Sequence, residues 1–319
     1  MYNSIHGEFI ATPVFNVLKD GVMASASLSM GAESFPMGEY FFQSLFLRMT
    51  GAQEQKMKCL YWELATNDFE YRHDLVRNKN YGECSSYKDK CGIYQDVISL
   101  IKRQDAGFSV YKIWDDVTLE AATLTAERRT WEAKVTNNRN KQISDNIAKQ
   151  ENKNGGSIPD STKDKIRKGI MGKPLPEGDY EKHIASVRKK SAVAKLIETL
   201  NTVLETSNIV LWKASDFNDF HDSWKRLLKG EHVSVNDSSL LGNVLQKYYM
   251  DVVYTHRNRC AHNTTSYQKD LPSLSALAAT GQRQQNYFYM FALLIIIDEV
   301  FMRLYKYYLG SLAKIKTSV

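Results

Sequence analysis

Cysteine and proline are scarce, with four and six residues in a chain of 319. The cysteines (Cys59, Cys84, Cys91 and Cys260) form no Cys-x-x-Cys pair, and Cys84 and Cys91 have no second ligand pair at zinc-finger spacing. Thiols are therefore expected, and neither a structural zinc nor any other metal is. A long uninterrupted apolar run is also missing. The most apolar stretch, Tyr287 to Leu309, is broken by Asp298, Glu299, Arg303 and Lys306, each costly in hydrocarbon, so it reads as a buried helix rather than a membrane span. No Gly-x-x-x-x-Gly-Lys-Ser/Thr loop occurs, which argues against a built-in ATPase. The opening residues, Met1 to Glu8, lack the basic start and apolar stretch of a secretory signal, so a cytoplasmic location with no membrane partner is expected.

The rest of the composition is that of a folded protein. Hydrophobic residues make up 43% and charged residues 24%, which excludes wholesale disorder. The length allows two modest domains or one with a large insertion. The net charge of +6 is concentrated: Arg139 to Lys195 holds 14 basic and 7 acidic residues, leaving about −1 for the remainder. Such a window suits either a polyanionic partner, through release of counterions from phosphates, or a solvated linker.

Helical spacing dominates. Phe9 to Val17 has extended character and Asp20-Gly21 suits a tight turn, which predicts a short β-hairpin at the start. One helix is expected from Met37 to about Thr50, and a second after it, with Thr50 and Gln53 as a capping box. Further helices are expected at about Tyr87 to Arg103, Asp115 to Gln150, Ser161 to Ile170, Tyr180 to Thr206, Asp216 to Lys229, Asp237 to Ala261 and Gln282 to Leu312. Asn152 to Pro159 is rich in Asn, Gly and Pro and marks a boundary. The expected division is a mostly helical region 1–150 with the hairpin, a basic linker 151–176 and a helical domain 177–319, in a mainly all-α chain.

The most informative segment is Tyr254-Thr255-His256-Arg257-Asn258-Arg259-Cys260-Ala261-His262. An Arg followed by a His five to seven positions later arises about once by chance in this composition, and Arg226 with His232 is such a pair. Requiring Asn directly after the Arg, with an apolar helix on either side, makes chance unlikely for Arg257. On these residues the chain resembles the HEPN superfamily of helical nucleases, whose mark is Arg, a polar residue, three to five residues, then His. The resemblance covers roughly Tyr180 to Leu312 and includes the apolar helix after the motif. It implies a C-terminal helical bundle and a homodimer. It also implies an RNA substrate, cut by a toxin or antiviral effector, with a regulatory protein as a further candidate partner.

The chemistry follows from the residues themselves. RNA carries a 2′-hydroxyl beside its phosphate, so a group that takes that proton and a cation that holds the phosphorane charge suffice, without metal or cofactor. His262 exchanges protons near neutral pH, the planar fork of Arg257 fits two phosphate oxygens, and Asn258 lies four residues before His262, where its amide can fix the ring tautomer. Tyr254, His256 and Arg259 are candidate RNA contacts. Structural roles compete: Arg257 can pair with Asp251 or close a helix, and His262 can end one. Five residues at about 100° each set Arg257 and His262 roughly 140° apart on an unbroken helix. Either the helix ends near Cys260 or a second copy completes the cleft. The expected activity is metal-independent endoribonucleolysis to 2′,3′-cyclic phosphate and 5′-hydroxyl ends. The alternative is a non-catalytic nucleic-acid-binding or dimerisation subunit.

Overall fold

The computed structural model describes residues 4–25, 35–79, 81–206, 233–262 and 287–317. The chain is mainly all-α, as the spacing predicts, and it divides into two compact units: Met1–Trp114 with Lys190–Val319, and Asp115–Lys189.

The first unit is built around the apolar run of the sequence. Its helices are α1 (Ile5–Ala11), α2 (Phe15–Ser25), α3 (Phe35–Asn67), α4 (Phe69–Arg77) and α5 (Tyr87–Gln104), with a 3₁₀ turn at Val110–Trp114. The last described helix, Tyr287–Thr317, is buried at every position from Tyr287 to Ile297. A helix apolar on all sides needs neighbours on all sides, and α1, α3, α5 and the 3₁₀ turn supply them. None of the described helices is long and apolar enough to cross a membrane.

The expected opening hairpin is instead the helix pair α1 and α2. Ser4 caps α1 by accepting the Gly7 N–H at 2.9 Å, and Ile10, Val14, Leu18 and Val22, each four residues apart, are all buried. Gly21 is not a turn residue but a point of close packing, where an added Cβ would lie 2.1 Å from a Leu45 methyl carbon. The two helices expected on either side of Thr50 are the single helix α3. Thr50 donates its hydroxyl to the Leu47 carbonyl, and Gln53 reaches the Leu294 carbonyl at 3.0 Å. Among the described residues the hairpin lies elsewhere: β1 (Val233–Asn236) pairs antiparallel with β2 (Ser239–Leu241), in register Val233 with Leu241 and Asn236 with Ser239. Tyr94 of α5 donates to the Asn236 carbonyl and holds the hairpin on that helix.

The second unit contains α6 (Ala121–Asn154), α7 (Asp160–Met171) and the first part of α8 (Glu177–Glu205). Arg128 meets Glu177 through two hydrogen bonds of 2.7 and 2.8 Å and lies over the rings of Trp131 and Tyr180. The expected boundary at 151–176 therefore falls inside a packed helical hairpin. Gly155, at φ 68°, closes α6 in the left-handed conformation that glycine tolerates best, and Arg139 donates to the carbonyls of Met171, the last residue of α7, and of Pro174 beyond it. Nor does 177–319 stand as a separate domain, because its last helix is the core of the N-terminal helices. The helix expected at Asp216 to Lys229 lies outside the described residues.

Candidate active site

The motif sits on a helical segment of mixed pitch. After the hairpin come α9 (Asn243–Tyr248), a π-helical turn over Tyr249–Tyr254 and α10 (Thr255–His262). The hairpin and these turns replace the single helix expected from Asp237 to Ala261. The wider turn changes the phase of the helix just before the motif, a distortion common at functional sites. Tyr249 and Val253 face the core, and the Tyr249 hydroxyl donates to the Ser85 carbonyl at 2.9 Å.

Arg257 is not paired with Asp251 but with Glu54 of α3. Nε donates to one carboxylate oxygen at 3.0 Å and Nη2 to the other at 2.9 Å, while Nη1 donates to Oδ1 of Asn258 at 3.3 Å. The Glu54 side chain is 11% exposed and the Arg257 side chain 23%, so the ion pair lies at the edge of the packed region with one side of the fork anchored on the carboxylate. A guanidinium has five N–H donors. Two go to Glu54 and one to Asn258, leaving two without a partner among the described residues. Asn258 is thereby tied to Arg257. Its expected part in fixing the His262 ring concerns a side chain that lies outside the described residues.

The backbone of His262 is described, and it closes α10. The helix ends two residues past Cys260, and positions 257 and 262 lie roughly 140° apart around its axis.

The expected RNA contact at His256 is corrected. That ring is 7% exposed, shares a 2.9 Å hydrogen bond between Nε2 and the Tyr287 hydroxyl, and packs against Phe46 with centroids 5.1 Å apart. Burial, and then the charge of Arg259, push its pKa down to about 4, so it is a neutral core histidine at physiological pH. Tyr254 and Arg259 are both half-buried. Cys260 Sγ lies 3.5 Å from Nε2 of His256, and the four cysteines are thiols.

Two residues of this region escaped the sequence reading. One is Glu54, in the polar run Gln53-Glu54-Gln55-Lys56 of α3. The other is Lys90 of α5, which takes a place in the buried stripe Tyr87, Lys90, Tyr94, Val97 and Ile101. A lysine at that spacing was the available signal. Lys90 is 1% exposed, donates to the Cys84 carbonyl at 2.7 Å, and its ammonium lies 5.9 Å from the centre of the Tyr249 ring. Burial lowers its pKa to about 8, and the Glu54 carboxylate is the strongest charge opposing that fall. Among the described residues no three His, Cys, Asp or Glu side chains gather to hold a metal ion. The chain matches no protein-family model, no curated protein and no solved structure.

Proposed function

We propose that this protein is a metal-independent endoribonuclease, of the toxin or antiviral effector kind, in which Arg257 holds a phosphate and His262 exchanges a proton with the 2′-hydroxyl. The observation that carries the reading is the setting of Arg257. Glu54 fixes the guanidinium from its inner edge, so that its remaining donors are aimed before any substrate arrives. A preorganised cation stabilises the phosphorane without reorganising during the reaction, and the neighbouring 2′-hydroxyl supplies the nucleophile. The products are a 2′,3′-cyclic phosphate and a 5′-hydroxyl.

Because α10 runs unbroken to His262, a second copy is the natural source of the histidine that faces a given Arg257. Val244 and Met250, large apolar residues 56% and 47% exposed just before the motif, supply apolar surface for such a contact. The competing reading is a non-catalytic nucleic-acid-binding or dimerisation subunit. It is favoured by the same ion pair, since Glu54 and Arg257 also tie α3 to α10.

Labelled total RNA incubated with the purified protein in excess chelator separates the two. Fragments with cyclic phosphate ends, absent with Arg257→Ala and His262→Ala, are the expected result. Intact RNA, or cleavage that needs added magnesium or manganese, overturns the proposal.

A further inference from the structure

The helix that anchors Arg257 continues past its anchor. Glu54 is followed on α3 by Lys58 and Trp62, each four residues on, so the three share one side of an unbroken helix, within about 80° of one another. Lys58 stands about 6 Å and Trp62 about 12 Å along the axis from Glu54. A stacked single strand covers the longer distance with three or four nucleotides, at about 3.4 Å each.

Trp62 is a large aromatic side chain left 49% exposed. Its indole is braced from behind. The ring centre lies 5.7 Å from that of Tyr61, Tyr61 lies 5.8 Å from Tyr81, and the Tyr81 hydroxyl donates to the buried carboxylate of Asp96. Lys58 meets Glu83 at 2.5 Å, but the Glu83 side chain is 75% exposed, and exposed ion pairs are weak enough for a phosphate to take the carboxylate's place. The other acid of this stretch, Glu63, is engaged by the Ser4 and Tyr305 hydroxyls.

We infer that this side of α3 is the track on which the candidate site takes single-stranded RNA: one phosphate on Arg257, a neighbouring phosphate on Lys58 in place of Glu83, and an unpaired base stacked on Trp62. This rests on the ribonuclease reading and adds to it the form of the substrate. A cation with an exposed ring beyond it suits a strand whose bases are free, because inside a duplex both faces of every base are covered by its neighbours.

The test is binding of an uncleavable, fully 2′-O-methylated strand of about eight nucleotides to the full chain, set beside its duplex and an abasic chain of the same length. The single strand should bind more tightly than the duplex. Trp62→Ala should weaken single-strand binding about tenfold, leave its salt dependence unchanged and leave the abasic chain unaffected, while Trp62→Phe keeps most of the affinity. Lys58→Gln should weaken binding several-fold and lower the slope of log affinity against log salt by about 0.7, and Glu83→Gln should tighten it. A duplex bound as tightly as the single strand overturns the inference. So does a Trp62→Ala protein that binds the single strand as the wild type does, or that loses the abasic chain equally. If Arg257→Ala abolishes cleavage while Trp62→Ala and Lys58→Gln bind and cut like the wild type, the track is overturned and the ribonuclease reading stands. If the wild type cuts no RNA in chelator while Trp62-dependent binding persists, the ribonuclease reading fails and α3 remains a single-strand binding surface.

Discussion

Lys56 meets Asp298 at 2.7 Å with the two side chains only 3% and 2% exposed, and the second oxygen of Asp298 accepts the Val14 N–H at the start of α2. One carboxylate thus joins α3, the long C-terminal helix and the entry to α2. It also explains how the most apolar stretch of the chain tolerates an aspartate at its centre. Burial raises the Asp298 pKa and lowers that of Lys56, and the charge of each partner opposes the other's shift. Lys56→Met strands the carboxylate and should lower the unfolding free energy by about 3–5 kcal/mol in urea titrations. Lys56→Met combined with Asp298→Leu should cost much less, because an apolar pair replaces both charges. Equal losses in the single and double variants would show that the pair contributes nothing beyond its packing.

His256 gives a prediction with a fixed sign. Its folded pKa of about 4 lies below the ordinary 6.5, so between these values the unfolded chain binds a proton that the folded chain refuses. The stability this confers is complete above pH 6.5 and is lost as the pH falls towards 4. The loss is on the order of 3 kcal/mol. His256→Phe keeps the ring packing against Phe46 and removes the titration, so the wild-type and variant stability curves should converge or cross below pH 6. Parallel curves from pH 7 to 4 would sink this account of His256.

Glu54 should divide binding from catalysis. Glu54→Gln keeps the shape of the side chain but removes the charge that anchors Nε and Nη2 of Arg257. The cluster becomes more positive, so KM for RNA should fall or stay unchanged. The fork is no longer held in place, so kcat should drop by about ten- to a hundredfold. A purely structural role for Glu54 predicts lower stability with kcat per folded molecule preserved. Thermal denaturation measured beside the steady-state kinetics tells these apart.

What was legible in the sequence followed periodicity. Tyr87 to Arg103 appears as α5 almost to the residue because Tyr87, Tyr94, Val97 and Ile101 mark one buried face, and the apolar run after the motif is the central helix. The opening segment departs from this because Asp20-Gly21 has the chemistry of a turn, whereas the glycine admits Leu45 from another helix. That is a tertiary reason no local window contains. The same limit applied at the site. Arg257 and Asn258 could be picked out from their spacing to His262, but the partner of Arg257 lies 203 residues away in a region to which no role was assigned. Burial alone separated His256 from its neighbours, since a histidine in a run of polar residues carries no mark of facing a Phe and a Tyr.

The continuity of α10 leads to the last prediction. Positions 257 and 262 lie on the one helix Thr255–His262, roughly 140° apart around its axis. In the proposed enzyme a two-fold axis near α9 and α10 brings the Arg257 of one protomer towards the His262 of its partner. Arg257→Ala and His262→Ala proteins should each be inactive. Co-expressed, they form heterodimers in which one groove keeps one wild-type Arg and one wild-type His from opposite chains, so partial activity should return. Sedimentation at micromolar concentration should give a dimer for the wild type and both variants. A monomer with full activity would remove the shared groove. A dimer that fails to complement would place each complete site within one chain, or require both histidines, while leaving the assembly in place.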